Sequence, residues 1–323
     1  MNTKSQAGLL PALTGAEAFR AWRADRAQWL PAVTAIARDH ALPYDSVEAF
    51  STGTNLVVAL DDRLILKLFP PMFRSQFVSE HTSLALLDGR LSVPIPKIVF
   101  KGEREQWPYL VITRLDGILG TEAWPLLPED QKENVLGQIG ETIAEVQRAP
   151  IGDLAHLEPN WKQFIAKQIE GCRARHQRLG LPPKHLAGLD ELLRQAPELI
   201  PMHAAPVILI GEYIPENILL SCHSGDWKLS GLFDFGDVMT GWGEYDLLGP
   251  SAFMTAGMPR RVQRLLRGFG YSPADIDEAL TRRLLILMLL HRASDPVRHI
   301  CIEGWQDKTD NLADLARLLW PIA

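Results

Sequence analysis

The chain has 323 residues, 46% of them apolar and 22% charged, with a formal net charge of −6. That is the composition of a globular protein long enough for one large domain or two lobes. No basic stripe of the kind a nucleic-acid binder needs is present, and "LLILMLL" (284–290) is too short an apolar run to cross a bilayer.

Along the chain, residues 14–45 carry apolar side chains at helical spacing, and an interruption is expected at Pro31. From 46 the runs shorten into strands: "VEAFST", "NLVVALD" and "RLILKLF". A helix follows in "RSQFVSEHTSLALLDG", then two more strands in "PKIVFKGE" and "PYLVITRL". Beyond Gly117 helices dominate, in "KENVLGQIGETIAEVQRA", "NWKQFIAKQIEGCRARHQRL", "LAGLDELLRQAPEL" and three or more after 250. Between them lies one strand pair, "ILLSC" and "KLSGLFDF", joined by "HSGDW". The fold class read from this order is α+β, with a small antiparallel sheet-rich N-terminal lobe over 1–115 and a larger, mainly helical C-terminal lobe over 116–323. A hinge is expected after "LVITRLDG".

Charge follows the same division. Residues 1–115 hold 13 Lys and Arg against 11 Asp and Glu, and residues 116–323 hold 20 against 28. The acidic half suits a cationic substrate, or is simply solvated surface. The N-terminus is a poor signal peptide, and Cys172, Cys222 and Cys301 form no CxxC pair, so a reducing cytoplasm is expected. The oligomeric state is left open by the sequence, with a monomer as the expectation.

The chemistry concentrates in two places. Asp234, in "LFDFGD", ends an apolar strand 17 positions after Asn217, room for one hairpin. A hairpin returns its ends to one edge, and an amide oxygen beside a carboxylate is a donor set for Mg²⁺. The alternative is a turn-capping Asn217 and a buried strand-end Asp234. Lys67 interrupts the apolar strand "RLILKLF", and Glu80 follows 13 residues later on a helix. An ion pair between them would aim the ammonium at ATP phosphates; otherwise both are solvated surface charges. A lysine with that task is expected to do little for stability. Upstream, the backbone amides of Ser51, Thr52, Gly53, Thr54 and Asn55 form a turn that either contacts phosphate or is a plain hairpin connection. Nothing resembles HExxH or GxSxG.

Taken in order, these pieces resemble the aminoglycoside phosphotransferase family, small-molecule kinases with a two-lobed protein-kinase-like fold. The family loop H-G-D-x-x-x-x-N, followed by I-D-[FW], is matched by "IGEYIPEN" and "FDFGD". "ILKLF", "WPYLVITRLDG", "GETIAEVQRAP" and "GEYDLLGP" are similar to family segments, and the resemblance covers roughly 45–250. The string "LKLF…SEH…LL…VPIPKIV…WPYLV" is similar to the hygromycin B phosphotransferase branch. The resemblance implies a kinase using ATP or GTP with Mg²⁺ on a small hydroxylated acceptor. It makes Glu212 the carboxylate that positions or deprotonates the hydroxyl, Asn217 and Asp234 the metal ligands, and Lys67 with Glu80 the phosphate clamp. It also places Ile112, Thr113, Arg114 and Leu115 along the adenine slot.

Two departures stand out. Ile210 replaces the loop histidine, so bracing by that side chain is left to packing, and Glu212 replaces aspartate. The extra methylene moves the carboxylate by ~1 Å, a misplacement that can cost about 100-fold unless the loop has adapted. The alternatives to a working variant are an impaired nucleotide-binding pseudokinase and a helical interaction protein. From Gly236 only "GDVMTGW" leads to "GEYDLLG", which leaves no platform for a protein substrate; Asp246 is read there as a structural helix cap in preference to a catalyst.

Overall fold

The computed structural model describes residues 8–321; the first residues of the stretch read as a poor signal peptide lie outside them. Contacts divide the chain into two compact units. The first comprises the chain up to Asp88 together with Ile95–Leu115, and the second Gly89–Pro94 with Asp116 onward.

In the first unit, the N-terminal helical pattern forms α1 (Ala16–Ala24) and α2 (Arg26–Asp39). The break falls at Asp25 rather than Pro31. The Asp25 carboxylate accepts the Ala27 N–H at 3.0 Å and caps α2. Pro31 lies inside α2, where it forgoes one hydrogen bond without ending the helix. The strands are β1 (Val47–Ala49), β2 (Leu56–Leu60), β3 (Leu64–Leu68), β4 (Ile98–Arg104) and β5 (Trp107–Thr113). They pair antiparallel in the order β1-β2-β3-β5-β4. Helix α3 (Arg74–Leu87) connects β3 to β4.

One face of this sheet is sealed by α1 and α2. Leu56, Val58, Leu66, Leu68 and Trp107 cluster with Phe19, Trp22, Trp29 and Ile36, and the Trp22 and Trp107 rings lie 4.9 Å apart. Each such side chain buried contributes about 1.5–3 kcal/mol. Successive strand residues alternate faces, so with Leu66 and Leu68 in this core, Lys67 is turned to the opposite face, toward α3.

The second unit is mainly helical, with long helices at Glu129–Arg148, Trp161–Arg178, Pro259–Phe269 and Glu278–Leu290. The helix read over 186–199 is instead three short ones, Pro183–Leu186, Leu189–Arg194 and Ala196–Leu199. Gly188 ends one turn, and Pro197 suits only the first turn of a new helix. The helices Glu129–Arg148 and Pro259–Phe269 meet backbone to backbone; a Cβ on Gly140 would lie 2.3 Å from the Leu265 oxygen.

Five short strands complete the unit: β6 (Ile118–Leu119), β7 (Val207–Leu209), β8 (Ile218–His223), β9 (Asp226–Leu232) and β10 (Met239–Gly241). β8 and β9 are the expected hairpin, with a tighter turn than read. Only Ser224 and Gly225 connect them, both at positive φ, as a two-residue hairpin loop demands. Gln131 and Gln138 accept the Trp227 and Leu229 N–H groups at 3.0 and 2.9 Å, so helix side chains satisfy donors of β9. β6 joins β8, and β7 pairs with β10. The consequence for the site is topological. The loops 210–217 and 233–238 both run from the β7–β10 pair to the β8–β9 pair, and therefore lie side by side. Among the described residues no helix is long and apolar enough to cross a membrane.

Candidate functional site

The loop 210–217 is held by its backbone. Ile210 and Gly211 donate their N–H groups to the two carboxylate oxygens of Asp246, at 3.1 and 2.7 Å. Gly211 adopts φ +83, a left-handed conformation that glycine takes without steric cost. Asp246 is 1% exposed, and burial pushes its carboxyl up to about 7 against the pull of the two N–H groups. It sits in the 3-10 turn Gly243–Leu247. Its structural role is thus to anchor the loop, in place of the helix cap expected for it. Ile210 is buried and braces by packing.

After Glu212 the chain turns through Pro215–Asn217. The Asn217 oxygen of the backbone accepts the Phe233 N–H at 3.1 Å, which places Asn217 opposite the strand end that carries Asp234. The Asn217 side-chain nitrogen donates to the backbone oxygen of Glu212 at 3.2 Å and to its carboxylate at 3.3 Å. With that nitrogen committed, the amide oxygen is the group left for a cation. Asp234 has φ +67, tolerated by aspartate, and the following Phe235 is fully buried.

Glu212 is half-buried, and its carboxyl is raised above the usual carboxylate range. Burial is the main cause, followed by the charges of Asp237 and Asp234, with Arg292 and Asn217 opposing. Arg292 bonds Asp237 at 3.0 Å. No pattern in the sequence pointed to Arg292. Among the described residues no three His, Cys, Asp or Glu side chains converge as a metal cluster, so a cation here would take an amide oxygen, a carboxylate and oxygens from phosphate and water.

In the first unit Lys67 lies 2.8 and 2.6 Å from the two Glu80 oxygens, with side chains 7% and 1% exposed. This is a buried ion pair, not two solvated charges. The turn 51–55 joins β1 to β2. Ser51, Thr52, Gly53 and Thr54 are exposed, while Asn55 is buried and donates to Gln76 of α3 at 2.8 Å. Arg23 of α1, which sequence reasoning missed, donates to the carbonyls of Gly53, Asn55 and Ser51. Ile112 and Thr113 are the paired end of β5; Arg114 donates its N–H to the Arg63 oxygen at 2.9 Å, and Leu115 is half-buried.

A sequence model of the phosphotransferase enzyme family matches residues 46–280. The chain belongs to the phosphotransferase enzyme family. The match extends past the 45–250 expected from motifs. It leaves out α1 and α2 and everything after Leu280, including Arg292.

Solved structures share the architecture of this phosphotransferase. The GDP complex of wild-type aminoglycoside 2'-phosphotransferase-IIIa superposes with a TM-score of 0.68 at 19% identity, covering 90% of this chain and 96% of that one. The GDP and kanamycin complex of APH(2")-IIia gives 0.64 at 21%, over 80% and 89%. The apoenzyme of macrolide 2'-phosphotransferase MphH from Brachybacterium faecium gives 0.54 at 17%, over 80% and 90%. At such identities the likeness carries the fold, here the α+β, protein-kinase-like arrangement. No curated protein matches this phosphotransferase.

Proposed function

We propose that the chain transfers the γ-phosphate of ATP or GTP to a hydroxyl of an aminoglycoside or a similar polar, cationic acceptor. The observation that carries this reading is the hold of Asn217 on Glu212 within a loop anchored by Asp246. A loop that had lost its task would have no reason to keep its variant acid in place. This favours a working enzyme over a nucleotide-binding pseudokinase. The neighbouring folds support the acceptor class, since one is a complex with GDP and kanamycin.

In this reading Glu212 orients the acceptor hydroxyl and takes its proton, and burial, which raises its carboxyl above the usual range, makes it a stronger base than a solvated carboxylate. Asn217 and Asp234 would hold Mg²⁺, which when bound offsets charge on the phosphate oxygens; the amide oxygen and carboxylate at adjoining strand ends fit that ion. Lys67, fixed by Glu80, would bind phosphate oxygens. The exposed turn 51–54 would offer backbone N–H groups to them, and Ile112–Leu115 would border the base. Positioning and electrostatics supply the rate.

The deciding experiment is a panel of kanamycin, gentamicin, hygromycin B, streptomycin and a macrolide with Mg²⁺-ATP or Mg²⁺-GTP. Phosphoryl transfer to one of them is the expected result. Nucleotide binding without transfer to any acceptor, and without hydrolysis, would move the chain to the pseudokinase reading.

A further inference from the structure

Gly211, which leads Glu212 into the loop, has an N–H and a carbonyl to fix, and the sequence supplies no loop histidine to fix either. Asp246 takes the Gly211 N–H. The Gly211 carbonyl is met by His291, 80 positions away, whose Nε2 lies 3.1 Å from it. The other ring nitrogen decides the direction of that bond. Ala293 N–H donates to His291 Nδ1 at 3.2 Å, so Nδ1 is the acceptor and the proton resides on Nε2, donating to Gly211. Burial keeps the ring neutral, with its pKa pushed down to about 4. The imidazole stacks on Tyr245 at 4.5 Å and 22°, and the Tyr245 hydroxyl accepts the Arg292 N–H at 3.1 Å. The segments 244–246 and 291–292 therefore lock together and grip the loop from both sides of Gly211.

We propose that His291 is a positioning residue for catalysis, setting the Gly211–Glu212 peptide and so the aim of the Glu212 carboxylate, through a hydrogen bond that the Ile210 side chain cannot make. The proposal rests on the reading of Glu212 as the working carboxylate. His291 lies beyond the family match, which ends at residue 280, so the brace comes from a segment outside that match. A displaced peptide moves the carboxylate but leaves the nucleotide's own contacts alone. Its loss is therefore read in kcat and not in nucleotide affinity.

Two variants separate the hydrogen bond from the ring. His291→Phe keeps a ring to stack on Tyr245 but has no donor; His291→Gln loses the ring but keeps an N–H. With Mg²⁺-ATP or Mg²⁺-GTP, with kanamycin and with water as acceptors, His291→Phe is expected to lose kcat on the order of 100-fold, the scale of a ~1 Å misplacement. Nucleotide KM should stay near wild type and His291→Gln should recover much of the rate. Wild-type kcat in His291→Phe, alongside an inactive Glu212→Ala, overturns the role of His291 alone; wild-type kcat in Glu212→Ala overturns the reading on which it rests. A measurement on the unaltered chain decides if the variants do not fold or no turnover is found. ¹⁵N-histidine NMR should show His291 as the Nε2–H tautomer with a slowly exchanging proton, and a ring averaging between tautomers would overturn the proposal.

Discussion

The side-chain nitrogen of Asn217 bonds both the backbone oxygen and the carboxylate of Glu212, at 3.2 and 3.3 Å. One amide thus ties the loop acid to the hairpin end opposite Asp234, and the longer acid is matched to its surroundings.

From this match, Glu212→Ala should lose kcat by about 10²–10⁴-fold, the usual contribution of a general base, with little change in KM. Glu212→Asp is the sharper variant. Aspartate falls ~1 Å short of the position the loop has adapted to, and kcat should drop about ten- to a hundred-fold. Steady-state kinetics checks both. A rise in activity on restoring aspartate would identify a decayed site.

The Lys67–Glu80 pair changes an expectation drawn from sequence. Because both side chains are buried, Lys67→Ala should remove the close counter-charge of Glu80 and destabilise the chain by up to about 3–5 kcal/mol, beyond any loss of nucleotide affinity. Lys67→Met with Glu80→Leu should recover most of that stability and none of the affinity. Urea unfolding with and without Mg²⁺-ATP measures both effects; equal stability of Lys67→Ala and wild type would contradict the buried pair.

In the proposed role Glu212 also brings a pH dependence. A base there would have to be ionised, and its carboxyl is raised by burial and by Asp237 and Asp234. Turnover should therefore fall with decreasing pH at a midpoint above the usual carboxylate value of about 4.3. Asp237→Asn removes a like charge and should lower that midpoint. For stability the sign is opposite to that of a salt-bridged acid. The folded chain favours protonated Glu212, so this contribution is full at low pH and lost as pH rises through the folded midpoint. An acid limb at the ordinary carboxylate position would refute the assignment.

Arg23 holds three carbonyls of the turn 51–55. If that turn covers phosphate, Arg23→Ala should raise nucleotide KM by about ten-fold, equivalent to about 1.4 kcal/mol, while kcat changes less. An unchanged KM would return the turn to a plain connection between β1 and β2.

What could be read beforehand follows from the kind of signal each feature leaves. Lys67 was legible because a charge breaks an apolar strand. The hairpin between Asn217 and Asp234 was legible because only a tight turn fits that spacing. β7 and β10, with three residues each, are too short to show a period. The break expected at Pro31 moved to Asp25 because a capping carboxylate outweighs one missing N–H. Arg23 and His291 were invisible for a common reason. Their partners are backbone atoms of distant loops, which place no demand on neighbouring residue types.

The seal that α1 and α2 form over the sheet limits how genes of this kind can recombine. The family match begins at residue 46, so a crossover there would carry every motif residue and leave both helices behind. The recipient would then show Leu56, Val58, Leu66, Leu68 and Trp107 to water as one apolar patch, prone to self-association. A transplant of residues 46–280 of this chain into another scaffold must therefore carry α1 and α2 along, or find equivalent cover already in place.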